Sequence, residues 1–216
     1  RTVTAWVEEA TLLASDGATA DQLGFAVALD AGADRALVGA PFDDTPGGNS
    51  AGSARIFVRA GATWSEEATL LAPGGALDDN FGASVALSSD GDRAVVGAPR
   101  DDVGFNPNAG SVHVFVRAGT TWTLEQTLLA PDAVGGDYFG QSVALTSDAS
   151  RALVGAYLDD VAGATDGGSA RVYLRTGTTW AEEATLVAAD AQSFDNLGSS
   201  VALSSDGSRA LVGAWR

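Results

Sequence analysis

Val112, Val114 and Val116 alternate with His113 and Phe115, which is the two-residue period of a β-strand with two different faces. Three further apolar runs lie around this one. FGASVALS (81–88) is short and small. DRAVVGAP (92–99) follows it across a turn at Asp90-Gly91. WTLEQTLLA (122–130) is rich in Thr and Leu and carries the polar positions. Gly, Asp, Asn and Pro separate the runs, and no window has a helical period, so the pattern predicts an all-β protein.

The same four runs recur along the chain. Trp6, Trp64, Trp122 and Trp180 are spaced by 58 residues, as are Gly24, Gly82, Gly140 and Gly198, and Gly39, Gly97, Gly155 and Gly213. A 58-residue period with four short strands predicts a β-propeller blade. The strands are termed A, B, C and D, with D opening at the Trp. They are expected near 5–14, 24–30, 34–40, 53–59, 63–72, 82–88, 92–98, 111–117, 121–130, 140–146, 150–156, 169–175, 179–188, 198–204 and 208–214. Residues 1–216 read as one propeller domain or segment, with repeats 6–63, 64–121 and 122–179 and a partial repeat 180–216. Small residues on A and B suit the crowded region near a propeller axis. The Gly recurring in strand B, where Gly weakens a strand, predicts close approach of a neighbouring backbone. Long loops join B to C and D to A, so both should emerge on one face.

Arg1 aligns with Arg59 and Arg216 with Arg100. The expected content is therefore a lone D strand, three ABCD blades and one AB pair. A sheet missing its C strand would leave unpaired backbone rows. The expectation is an ordered part of a longer polypeptide, or strands supplied by another chain through open blade edges.

Composition narrows the function classes. Asp and Glu number 28 against 12 Arg and no Lys, a formal charge of −16, which excludes a counterion-displacing nucleic-acid binder. There is no Cys, and His113 is the only His, so thiol chemistry and multi-His metal sites have no material. No apolar run approaches the ~18 residues of a membrane span. His113 shares its column with Arg55 and Arg171, and this polar column predicts a solvent-facing side chain. The Trp residues of strand D are expected to pack at the blade rim rather than to stack on sugars.

The Phe/Leu-Gly at the start of strand A, at 23–24, 81–82, 139–140 and 197–198, and the Gly-Ala-Pro at 39–41 and 97–99 resemble FG-GAP repeats. The second motif drifts to Gly155-Ala156-Tyr157 and Gly213-Ala214-Trp215. This resemblance implies the propeller of integrin α-subunits and bacterial surface proteins, usually of seven blades. It also implies placement on a bacterial or archaeal cell surface, and ligand binding or adhesion. Many such repeats carry a calcium loop between strands A and B. Here that place holds ALDAGADRAL, ALSSDGDRAV, ALTSDASRAL and ALSSDGSRAL, too short and too poor in oxygen for Ca²⁺. Asp90, Asp92 and Asp206 read as hairpin-turn residues.

The recurring carboxylates lie elsewhere. Asp43-Asp44, Asp101-Asp102 and Asp159-Asp160 follow strand B, and Asp21, Asp79, Asp137 and Asp195 precede the strand A Gly. They form either a ligand face that takes Ca²⁺ or a cationic or hydroxyl-rich ligand, or a set of turn caps. Recurrence in every copy favours caps. Asp78, Asn108 and Asp166 add oxygen irregularly, where a ligand-specific site would more naturally lie. The adjacent, repeated carboxylates offer no unique acid/base pair, so no catalytic residue is assigned. The sequence thus points to a non-catalytic extracellular module that needs no cofactor, with Ca²⁺ as a candidate ligand. Its partner would be a protein or carbohydrate, with no nucleic acid and no membrane insertion. The alternatives are an assembly component that pairs blades between chains, and the accessory propeller of a secreted hydrolase.

Overall fold

The computed structural model describes residues 5–215. The described residues contain strands and turns only, in chain order β1 (Ala26–Leu29), β2 (Arg35–Ala40), β3 (Ser53–Ala60), β4 (Thr63–Leu70), β5 (Ser84–Leu87), β6 (Arg93–Ala98) and β7 (Ser111–Ala118). They continue with β8 (Thr121–Leu128), β9 (Phe139–Leu145), β10 (Arg151–Ala156), β11 (Ser169–Thr176), β12 (Thr179–Leu186), β13 (Ser200–Leu203) and β14 (Ala210–Gly213). Three antiparallel sheets run β1-β2-β3-β4, β5-β6-β7-β8 and β9-β10-β11-β12, and β13-β14 forms a two-stranded fourth. These are three complete propeller blades and a partial one.

The expected strand at 5–14 is absent. Among the described residues no C strand lies beside it, so its backbone joins no ladder. The segment lies instead against the first blade, where Glu9 bonds Arg59 at 2.6 Å.

Neighbouring blades stack face to face. Leu37, Ala54 and Ile56 of the first blade share a core with Ala94, Val96 and Phe115 of the second. Val95, Val112 and Val114 of the second share one with Val154, Tyr173 and Trp180 of the third. Strand C is therefore buried on both of its faces, and the solvent-facing expectation for His113 is wrong. His113 is 2% exposed, and its column mates Arg55 and Arg171 are buried as well. The two-faced alternation is real, but each face meets a different neighbouring blade.

Glycine sets the closest approach between blades. A Cβ on Gly39 would collide with the carbonyl oxygen of Gly82 in the next blade, and Gly97 and Gly155 stand in the same relation to Gly140 and Gly198. The small-residue signal in strand B thus marks the point where adjacent backbones touch.

The strand D Trp residues also belong to these seams. Trp122 Nε1 donates to Glu67 and Trp180 Nε1 to Glu125, each at 3.0 Å and across blades. Glu67, Glu125 and Glu183 each fall at the register shift between strands C and D. A bulge re-aims a side chain. Here Glu66 turns to Arg55 of its own sheet, while Glu67 turns to Arg117 of the next.

Candidate binding face

The D–A and B–C loops meet on one face, as their lengths predict. Asp78 N and Phe81 N of one loop donate to Asn49 O and Ala51 O of the other, and the contact recurs where Tyr138 N and Phe139 N meet Asn108 O and Ala109 O.

The recurring carboxylates sit on this face, and most of them cap their own loop. Asp21, Asp79, Asp137 and Asp195 accept from the backbone N–H groups of Ala18, Ala76, Val134 and Gln192 at 2.5, 2.6, 2.8 and 2.8 Å. Asp44, Asp102 and Asp160 accept from the N–H groups of Ser50, Asn108 and Asp166 at 2.9, 2.8 and 2.9 Å. Both sets are turn caps. Burial pushes Asp79 and Asp137 up to about 6, against the pull of their capped N–H groups and with added repulsion from Asp101 and Asp159.

Asp43 and Asp159 have a different task, on strand C. Asp43 accepts from the Ser53 hydroxyl at 2.5 Å and from Arg55 at 2.9 Å, and Arg55 also meets Asp16 at 2.6 Å and Glu66 at 3.0 Å. The third blade repeats this with Arg171, Asp159, Asp132 and Glu182. A buried guanidinium is tolerable when carboxylates surround it.

The second blade departs from this as a unit. His113 replaces the Arg, Leu124 the Glu and Gly74 the outer Asp. The imidazole bonds Ser111 at 3.0 Å and Thr127 at 3.2 Å, and its burial lowers its pKa to about 4, so it is neutral. Asp101 bonds Ser111 and is pushed up by burial and by Asp102. Asp101, Ser111 and His113 are not a nucleophilic triad. The carboxylate contacts the hydroxyl rather than the imidazole, and Ser111 is fully buried.

A feature the sequence reading missed lies where the loops approach the axis. A cleft of about 250 Å³ opens between the first three blades. Phe25 and Phe42 line one side, edge to face at 6.3 Å, and Tyr138 and Tyr157 line the other, edge to face at 5.7 Å. Arg100 stands at the exposed rim, with no hydrogen bond or ion pair from its side chain among the described residues. Asn80 and Gln141 add amide groups. Several of these positions differ between the copies. Phe25 becomes Ala83, Gln141 and Ser199, and Pro41 and Pro99 become Tyr157 and Trp215. The drift away from Gly-Ala-Pro was visible in the sequence. Its convergence on one cleft required the fold.

The model of the FG-GAP repeat matches residues 6–57, 64–115, 122–173 and 180–216. The chain belongs to the FG-GAP repeat family. A search of curated proteins finds no match to it. The second and third FG-GAP matches start in strand D of one blade and end in strand C of the next, so each of these sequence repeats spans two blades and ties them together.

The A–B turns of these FG-GAP repeats do not fit a calcium ion. Asp90 Oδ1 accepts from Ser88 Oγ at 2.5 Å and Asp92 N at 3.0 Å, and Asp206 Oδ1 from Ser204 Oγ at 2.7 Å and Ser208 N at 3.0 Å. Each turn brings too few oxygens for the six to eight that Ca²⁺ takes. Among the described residues no group of three or more carboxylate or imidazole side chains is placed to hold a metal.

Proposed function

We propose that this chain is a non-catalytic binding module of a bacterial or archaeal surface protein. It takes a protein or carbohydrate ligand on the face built by the D–A and B–C loops. One observation carries this reading. The 58-residue copies keep their strands, their capping Asp residues and the seam glycines, while several of the positions that line the cleft of Phe25, Phe42, Arg100, Tyr138 and Tyr157 differ from copy to copy. Positions that vary between copies and meet in one cleft suit a single ligand, which needs a unique set of contacts. The cleft joins apolar rings to a few polar groups, the usual make-up of a ligand pocket. The surrounding Asp residues support the loops rather than reach outward. Extracellular placement rests on the FG-GAP resemblance to surface proteins.

The test is an array of glycans and surface proteins probed with the wild type and with an Arg100→Ala/Tyr157→Ala variant. The reading expects hits that survive a metal chelator and disappear with the variant. Hits that the variant retains would refute the assignment of the cleft.

A further inference from the structure

The cleft of the loop face holds polar side chains that are committed to nothing else. Among the described residues the Arg100 guanidinium has no hydrogen bond or ion pair, and no hydrogen bond reaches the Tyr138 hydroxyl, the Tyr157 hydroxyl or the Gln141 side-chain amide. Tyr173, the remaining Tyr, gives its hydroxyl to Leu129 O at 2.8 Å.

One of these groups replaces a structural contact. Asn80 Nδ2 donates to Pro41 O at 3.1 Å and to Ser50 O at 3.3 Å, and Asn196 Nδ2 to Tyr157 O at 3.2 Å and Asp166 O at 3.3 Å. Each amide ties a D–A loop to the B–C loop of the preceding blade. The equivalent residue in the copy between them is Tyr138. There the chain gives up the clamp and sets a phenol edge to face with Tyr157.

Charge narrows what these groups can take. The loops at 41–52, 71–83, 99–110, 129–138, 157–168 and 187–199 carry Asp in every copy and a single cation, Arg100. Its neighbours in sequence are engaged elsewhere, Asp101 with Ser111 and Asp102 with Asn108 N. An unpaired guanidinium offers its planar fork of N–H donors to an outside carboxylate. The surrounding negative field repels anions more strongly the more charge they carry. The cleft therefore favours one carboxylate on an otherwise neutral body over a sulfated, phosphorylated or polyacidic ligand.

The other groups describe that body. Phenol hydroxyls and a primary amide both give and accept hydrogen bonds, as do the hydroxyls of a sugar. The rings of Phe42, Tyr138 and Tyr157 offer apolar walls to the C–H faces of a sugar ring. The volume of about 250 Å³ lies below the ~300–1,000 Å³ of sites for drug-sized ligands, and suits one sugar unit.

We infer that the cleft takes a uronic acid unit, with Arg100 on its carboxylate and Tyr138, Gln141 and Tyr157 on its hydroxyls. This rests on the reading of the cleft as the ligand site and adds the chemistry of the ligand.

Amide chemical shifts of the ¹⁵N-labelled full chain test it, in titrations with the methyl glycosides of glucuronic, galacturonic and mannuronic acid and with their neutral parent hexosides. At least one uronide should shift the amides of Arg100 and Tyr157 and bind at least about tenfold more tightly than its parent. Arg100→Gln alters an exposed residue, and circular dichroism checks that the variant folds. It should bring the uronide down to the affinity of the parent. Tyr157→Phe keeps the ring and should weaken the uronide several-fold. A uronide that binds no better than its parent, or that keeps its affinity in Arg100→Gln, would overturn the inference. So would cleft shifts produced only by neutral sugars or by peptides that carry a carboxylate. In that case the cleft remains the ligand site and only the chemistry of its ligand is refuted.

Discussion

Glu67 of the first blade and Trp122 of the second are joined by a 3.0 Å hydrogen bond across the seam between them. The same carboxylate takes Arg117 at 2.9 and 3.0 Å. Burial alone would raise Glu67, but Arg117 and Trp122 outweigh it and hold the group below the usual carboxylate range. Glu67→Gln removes the charge while keeping the shape, and leaves Arg117 largely buried without its main partner. The expected cost is about 2–4 kcal/mol in urea denaturation. A loss within the ~0.5 kcal/mol of an ordinary surface change would mean that the seam does not depend on this contact.

Gly97 and Gly213 are equivalent in sequence and differ in surroundings. Gly97→Ala drives a Cβ into the carbonyl of Gly140, a backbone atom that cannot turn aside. A loss of about 3 kcal/mol or more is expected. Gly213→Ala meets only the Ser200 hydroxyl, which can rotate, so the monomer should lose less than about 1 kcal/mol. Equal losses in thermal or urea melts would contradict the stacked-blade geometry.

Much of this was legible in the sequence. The period placed every strand but the expected one at 5–14 within a few residues, and the Gly in strand B foretold a backbone contact with the next blade. Other features were not legible, for physical reasons. His113, Arg55 and Arg171 read as a solvent face because a single strand cannot show that blades cover it on both sides. The exchange of Arg, Glu and Asp for His113, Leu124 and Gly74 was present in the copies, but only the fold shows that the three positions meet. The cleft draws residues from three blades, at separations far beyond any local pattern.

That exchange makes a specific prediction. His113→Arg brings a guanidinium beside Asp101 without the carboxylates that flank Arg55 and Arg171. Leu124→Glu alone brings a carboxylate without its Arg. Each single variant should lose stability, and together they should recover about 2 kcal/mol relative to the sum of the two. A double-mutant cycle measures this coupling, and additive losses would contradict the account.

The pH dependence separates opposing groups. Burial lowers His113 to about 4, so below about pH 6.5 the unfolded chain takes a proton that the folded chain refuses. That contribution to stability is lost as pH falls from about 6.5 towards 4. Burial raises Asp79 and Asp137 to about 6, so between roughly pH 6 and 4 the folded chain binds protons that the unfolded chain does not. Their contribution grows as pH falls through 6. His113→Gln removes only the first effect. Between pH 7 and 5 the variant should gain about 1–2 kcal/mol relative to the wild type. Parallel pH profiles would show that His113 is not neutral in the folded state.

The central claim is that the ligand sits in the axial cleft of the loop face. The most direct measurement is the amide chemical-shift map of the ¹⁵N-labelled protein titrated with the strongest ligand from the array. The account predicts the largest shifts at Phe25, Phe42, Asn80, Arg100, Tyr138 and Tyr157, all on one side of the molecule. Shifts centred on the A–B turns around Asp90 and Asp206, or along the outer D strands, would contradict it.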